Sequence, residues 1–541
     1  MFKNKSDIAD YIFKGESVFI GNTDQPISTS VAVRGNRIIE VGENLDHLFG
    51  PETHIIECGD NLVLPGFHDS HVHLMLAGLF QTCVNLQKAV SEEETAQLAK
   101  EFADSRPDDP WVLGFTWYHV FWENKRMPHK RTLDRLIPDR PVFLLNYEGH
   151  GAWVNSKALE ICGIDKNTPN PEGGEIERDQ NGEPTGILLE NAMGLVSKFA
   201  YDLSEDMQTS MLRQLMVNAV KKGVTSICDM QPFIGTDLGD PKLYEKFERN
   251  GELCVRINIT PEMTGNLEKV RRLRKEHNSG GVKFSGLKQF VDGVATTHTA
   301  YMIEPYTDDL NNIGSTVKPI DQLRDWIIKA DSEGFRIRLH ACGDGAVRAS
   351  LDFFEEAARV NGKRDARHTI EHIENIHPDD IKRFAELGVI ASMQPEHLAM
   401  TETYKDNPYP EKLGLERIKL SWPIKTLMDA GATVTFGTDC PVVDLDPFVG
   451  IYRALTRVHN DGEPAGGWNP IEKIDIATAI KGFTQAPSYM EFRENELGTL
   501  ESGKLADIVI LDRNLFTTPV DKIRETKVKI TMMDGKIVYE E

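Results

Sequence analysis

From residue 62 to 494 the chain alternates strand-like and helix-like segments, and nothing else in it constrains the fold as tightly. The runs "GVTSICDM", "LCVRINITP", "GLKQFVDG", "FRIRLHACGD", "RHTIEHIE", "GVIASMQP" and "ATVTFGTD" are short and apolar, as buried strands are. Between runs of this kind, "MQTSMLRQLMVNAVKKG", "PIDQLRDWIIKADSEG" and "GAVRASLDFFEEAARVNG" carry apolar residues at helical spacing and stop at glycine. Counting "LPGFHDSHVHL" (64–74) as the first, there are eight β-segments. Repeated βα units in that number predict an α/β fold, a (β/α)8 TIM barrel.

One gap is too long. About 150 residues separate His73 from the next strand-like run at Val224, where a βα unit takes roughly 30 to 40. The spacing predicts a large insertion after barrel strand 1, about 85–205, holding "WVLGFTWYHVFWENK" and the strand-like "PVFLLNY". The two chain ends are alike in kind. Gly35-Asn36 and Asp534-Gly535 each sit between alternating runs, a hairpin signal. Neither end is long enough for a core of its own. They are expected to form one small β-sandwich domain from 1–61 and 495–541.

A formal net charge of -23 removes nucleic acid and anionic membrane surfaces as partners, since both demand a basic footprint. No apolar run approaches a membrane span, and the first residues show no secretory apolar segment. Seven scattered cysteines without a Cys-x-x-Cys pair point to reduced thiols and a cytoplasmic protein.

The chemistry-bearing residues fall at strand ends. His71 and His73 end strand 1, Lys288 lies in strand 4, His340 ends strand 5, His372 ends strand 6 and Asp439 ends strand 8. In a barrel those ends converge on one face, where active sites are built. In an extended strand i and i+2 point the same way, so His71 and His73 aim two imidazoles at one point. Imidazole and carboxylate together are donors for zinc and similar divalent metals. His68 and Asp69 are out of phase with that pair and stay outside the expected ligand set.

The motifs "GFHDSHVHL", "LHACGD", "IEHIE" and "GTDCPV", with Lys288 and the tail "GTLESGKLADIVILD", resemble the amidohydrolase superfamily. "GHGAWVNSKAL", "FVDG", "ASMQPEH" and "CPVVDLDPFVGIYRALTR" are similar to the branch containing N-substituted formamide deformylase. The resemblance implies one or two divalent ions, zinc first, with manganese, nickel and iron fitting the same donors. His71, His73 and Asp439 would hold one ion and His340 and His372 the other. Lys288, carboxylated by CO2 to a carbamate, would lie between them. A homodimer is a further expectation from the family.

The activity implied by the resemblance is metal-dependent hydrolysis of a non-peptide carbon–nitrogen bond in a small molecule, an amide or an N-substituted formamide. Metal-activated hydroxide would attack, and Asp439 would shuttle its proton to the leaving nitrogen. His150, Trp153, Gln394 and His397 are candidate substrate contacts. So is His298, which stands where the branch often has arginine; Glu148 likewise replaces the branch's usual aspartate. A deaminase of the same superfamily would carry a glutamate shortly after the strand 5 histidine, and "HACGDGAV" has none. Esterase or phosphotriesterase-like chemistry fits the same ligands. A non-enzymatic scaffold would have lost ligands, and every position is filled.

Overall fold

A computed structural model describes residues 8–119, 122–147, 149, 151–171, 174–231 and 238–541. The chain divides into two compact units. The second is built on His73–Leu215, and the first takes in the chain up to Val72 and most of the chain after Met216.

The first unit contains parallel strands in chain order, numbered here β1 (Phe67–Val72), β2 (Val224–Met230), β3 (Arg256–Thr260), β4 (Val282–Phe284, resumed at Leu287–Phe290), β5 (Ile337–Ala341), β6 (Thr369–His372), β7 (Ile390–Met393) and β8 (Val434–Phe436). They lie in two parallel sheets, β1 to the first half of β4 and the second half of β4 to β8. Two bridges link the sheets, Glu262 to Lys288 and Val72 to Cys440. Lys288 N–H donates to the Pro261 carbonyl at 2.8 Å, and Asp439 N–H donates to the His71 carbonyl at 2.7 Å. Every residue of β1, β2, β3, β5 and β6 is buried, as expected for parallel strands covered on both faces. Helices form at the periodic segments. Asp344–Asn361 buries Val347, Leu351 and Phe354 along one face and stops before Gly362.

The pairing of β1 with β2 is irregular. Ile227 pairs with Asp69 but Asp229 pairs with Val72, so β1 carries an extra residue there. Such a bulge shifts the side-chain phase within the strand. It lets both His68 and His71 reach partners on other strands: His68 Nε2 lies 3.4 Å from Cys228 Sγ and His71 Nδ1 lies 2.7 Å from Glu371.

Both ends of the chain share one eight-stranded sheet. Val63–Pro65, immediately before β1, runs antiparallel to Ile508–Leu511 and pairs at Val18 with Tyr11–Val18. The two hairpins lie in this sheet, with Arg34 opposite Arg37 and Met533 opposite Lys536. Asp534 and Gly535 both have positive φ, as a two-residue hairpin turn of this hand requires.

The second unit holds a six-stranded sheet running from Gly174–Arg178 to Val84–Asn85. Its core gathers Trp117, Trp122, Trp153, Leu133, Leu144 and Ile187. Asn155 caps the helix Ser156–Cys162, accepting from Ala158 N–H and Val142 N–H and donating to the carbonyls of Ile137 and Arg140. No helix among the described residues is long and apolar enough to cross a membrane.

Candidate metal centre

Four of the expected residues meet at the C-terminal ends of strands in the first unit, and Lys288 is enclosed beside them. His71 Nε2 is 3.4 Å from Asp439 Oδ1, and His372 Nδ1 is 3.9 Å from Asp439 Oδ2. The rings of His71 and His372 are 4.9 Å apart, and those of His340 and His372 are 4.4 Å apart. His73 comes next in the chain, at the N-cap of the helix Leu74–Thr82 and at the start of the second unit.

Backbone strain helps to build the cluster. His372 and Asp439 have φ of +75° and +63°, a region where residues with a Cβ are rarely held. In regular strand geometry Glu371 and His372 would face opposite ways; the left-handed turn at His372 lets both take part. The turn into Asp439 also needs Gly437, because a Cβ there would lie 2.6 Å from the His71 backbone nitrogen.

Burial keeps the imidazoles neutral. It pulls His71 down to about 4 and His340 to about 3, with Lys288 adding to both shifts. Lys288 is itself pulled down to about 8 by burial. Its Nζ is enclosed, 2% of the residue is exposed, and it has no hydrogen-bond partner. Asp292, the neighbouring acid that an ordinary strand lysine would pair with, is engaged elsewhere: it accepts from the backbone N–H groups of Tyr301, Cys342 and Gly343. Neutral imidazoles, a carboxylate and an orphaned buried amine form a donor set that fits divalent metal.

The remaining predicted residues divide. His397 is buried with Nε2 3.8 Å from Asp439 Oδ2, and its ring lies parallel to that of His372 at 6.1 Å. Gln394 is fully buried, and neither of its amide atoms has a hydrogen-bond partner. His298 Nε2 is bonded to Asp308 at 2.9 Å and lies 3.2 Å from Lys412 Nζ. Trp153 is 0% exposed in the core of the second unit, edge-on to Trp117. His150 and Glu148 lie outside the described residues.

Sequence reasoning passes over three residues at the centre. Asp69 accepts from His71 N–H, Thr438 N–H and the Thr438 hydroxyl, tying β1 to the turn after β8. Glu371 accepts from Arg338 Nε–H at 2.6 Å, and its other oxygen lies 2.7 Å from His71 Nδ1. Arg338 is legible in principle: it lies two residues before His340, on the same face of β5, and a buried arginine demands a buried acid.

An amidohydrolase family model matches residues 54–539. The chain is 32% identical to Protein LONG AFTER FAR-RED 3 of Arabidopsis thaliana over 98% of its own length and 92% of the relative's. It is 26% identical to N-substituted formamide deformylase of Arthrobacter pascens, covering 94% and 95%. Among solved structures it is similar to an uncharacterized metal-dependent hydrolase of Pyrococcus furiosus, with a TM-score of 0.76, 27% identity and coverage of 94% and 100%. The chain belongs to the amidohydrolase family and is a metal-dependent hydrolase of carbon–nitrogen bonds.

Proposed function

We propose that this enzyme hydrolyses a non-peptide amide or N-substituted formamide bond of a small molecule. The observation that carries the reading is Lys288: an amine buried without a hydrogen-bond partner beside His71, His340, His372 and Asp439. The two linked parallel sheets are read as one (β/α)8 barrel, with the cluster at its C-terminal face. His71, His73 and Asp439 are assigned to one ion and His340 and His372 to a second, with zinc the first candidate. The unprotonated fraction of Lys288, enlarged by its lowered pKa, would add CO2 and release a proton, giving an anionic carbamate as a further donor to the metal.

When bound, the metal supplies Lewis acidity, lowering the pKa of water and polarising a carbonyl oxygen. The Asp439 carboxylate takes the proton of the attacking water and returns it to the leaving nitrogen, which departs as a neutral amine. Gln394, whose buried amide is unpartnered, and His397, whose Nε2 lies 3.8 Å from Asp439 Oδ2, are the substrate contacts of this reading. His150 keeps its role as a substrate contact on its motif alone. The similarity to N-substituted formamide deformylase supports formamides as the first substrates to try. All seven cysteines are free, which supports a cytoplasmic location.

The test is elemental analysis of the purified protein, followed by amide and formamide panels. About two metal equivalents per chain are expected, with loss of turnover on chelation and recovery with metal and bicarbonate. No retained metal after incubation with divalent ions and bicarbonate would overturn the reading.

A further inference from the structure

Beneath the metal cluster runs a ladder of buried charge. Glu371 and Arg338 are 0% exposed, Glu491 is 2% and Arg336 is 5%. The signs alternate. His71 Nδ1 lies 2.7 Å from Glu371 Oε2, and Arg338 Nε–H donates to Glu371 Oε1 at 2.6 Å. Arg338 Nη1 lies 3.7 Å from Glu491 Oε1, to which Arg336 Nη2–H donates at 2.6 Å. Arg338 also donates from Nη2 to the Ser70 carbonyl at 2.6 Å, one residue before His71.

Such a ladder is an expensive way to fill the middle of a fold. Desolvating four charges costs several kcal/mol each, and well-packed apolar residues often do as well or better. Its upper end supplies something an apolar core cannot. The Arg338 guanidinium, donating to Oε1 at 2.6 Å in a site closed to solvent, keeps Glu371 a carboxylate. A carboxylate only accepts, so the ring atom facing it must carry the hydrogen. That leaves the lone pair of His71 on Nε2, the atom facing Asp439 Oδ1 at 3.4 Å.

We propose that Glu371, clamped by Arg338, is a positioning residue: it fixes His71 as the Nδ1–H tautomer and turns the Nε2 lone pair toward the metal position. This rests on the metal-centre reading above. A neutral imidazole must choose which nitrogen to protonate, and the partner of the other nitrogen makes that choice. Glutamine at position 371 removes it, because an amide can face His71 with either its oxygen or its NH2.

The test uses the full chain, metal-stripped and labelled with 15N-histidine, with His71→Gln to assign the signal. Two variants are compared with wild type: Glu371→Gln, and Glu371→Gln with Arg338→Met, which removes both charges so that no unpaired guanidinium is left to unfold the protein. Wild-type His71 is expected to show a protonated Nδ1 and a bare Nε2. Both variants are expected to show mixed or inverted tautomers. Their Zn2+ affinity, measured by chelator competition, should fall about 10- to 100-fold. A purely structural role would lower the melting temperature of the single variant and leave the tautomer of a folded double variant unchanged. A protonated Nε2 in wild type, or a folded double variant with wild-type tautomer and affinity, would overturn this proposal alone. Wild-type protein that binds no Zn2+ would overturn the metal-centre reading and this proposal with it.

Discussion

Replacing Asp69 with alanine and with asparagine should have very different consequences. The carboxylate is fully buried and accepts three hydrogen bonds, from His71 N–H at 3.1 Å, Thr438 N–H at 3.0 Å and the Thr438 hydroxyl at 2.7 Å. Alanine leaves all three donors without that acceptor in a dry interior. At about 1–3 kcal/mol for each buried group left unmatched, and with some relaxation, the loss is about 3–6 kcal/mol. That is a large fraction of the stability of an ordinary domain. Asparagine is nearly isosteric. Its carbonyl accepts both backbone N–H groups, and its NH2 faces the Thr438 hydroxyl, which turns to accept. The expected loss is within about 1 kcal/mol. Because Asp439 comes directly after Thr438, the alanine variant should also release Asp439 from β1 and retain less Zn2+. The assay is urea unfolding of the metal-stripped chain, followed by circular dichroism and tryptophan fluorescence, with metal content measured in parallel. Equal losses for the two variants, or an alanine variant with wild-type stability and metal content, would refute the assignment of these three bonds as the clamp between β1 and the turn after β8.

Other outcomes rest on the same geometry. Lys288→Arg keeps a cation but cannot form a carbamate, so metal equivalents per chain should fall and bicarbonate should no longer raise activity; unchanged metal content would remove Lys288 from the centre. Burial pushes the Glu491 carboxyl up, but Arg336 and Arg338 outweigh that and bring it from 4.5 to about 2. The stability it contributes is therefore complete above pH 4.5 and lost as pH falls toward 2. Acid unfolding followed by circular dichroism should be steeper in wild type across that window than in Glu491→Gln. Trp153→Ala should destabilise the second unit by about 3–5 kcal/mol through the cavity it opens. If Trp153 acts only as core, Trp153→Phe should leave KM near wild type, and a KM raised tenfold in a protein that melts normally would return it to the substrate site.

The features legible in the sequence are those that depend on local period. The strands carrying His71, Lys288, His340 and His372 lie where apolar runs bounded by turns place them. The helices Ile320–Ser332 and Asp344–Asn361 stop at the expected glycines. Departures from period hide the rest. Alternation sets Glu371 opposite His372, and only the positive φ of His372 brings the two into one network. Alternation likewise sets His68 out of phase with His71, and the bulge in β1 overrides it. Asp69 reads as a bystander because two of its three donors belong to Thr438, hundreds of residues away. Trp153 and Asn155 sit in a motif that resembles a branch signature, yet both act as packing and capping groups within the second unit.

The strand Val63–Pro65 leads straight into the strand that carries His71, and its antiparallel neighbour is Ile508–Leu511. On a ribosome, the support for the strand that carries His71 therefore emerges only after more than four hundred further residues. Until then Val63–Pro65 offers an open edge toward the missing strand, and a loop of more than four hundred residues must close before the edge is covered. Domains of this size fold in pieces as they are synthesised, and here the strand bearing His71 gains this support only once Ile508–Leu511 has been made. Nascent chains arrested before Ile508 should be held by chaperones, and release should follow once Leu511 has emerged.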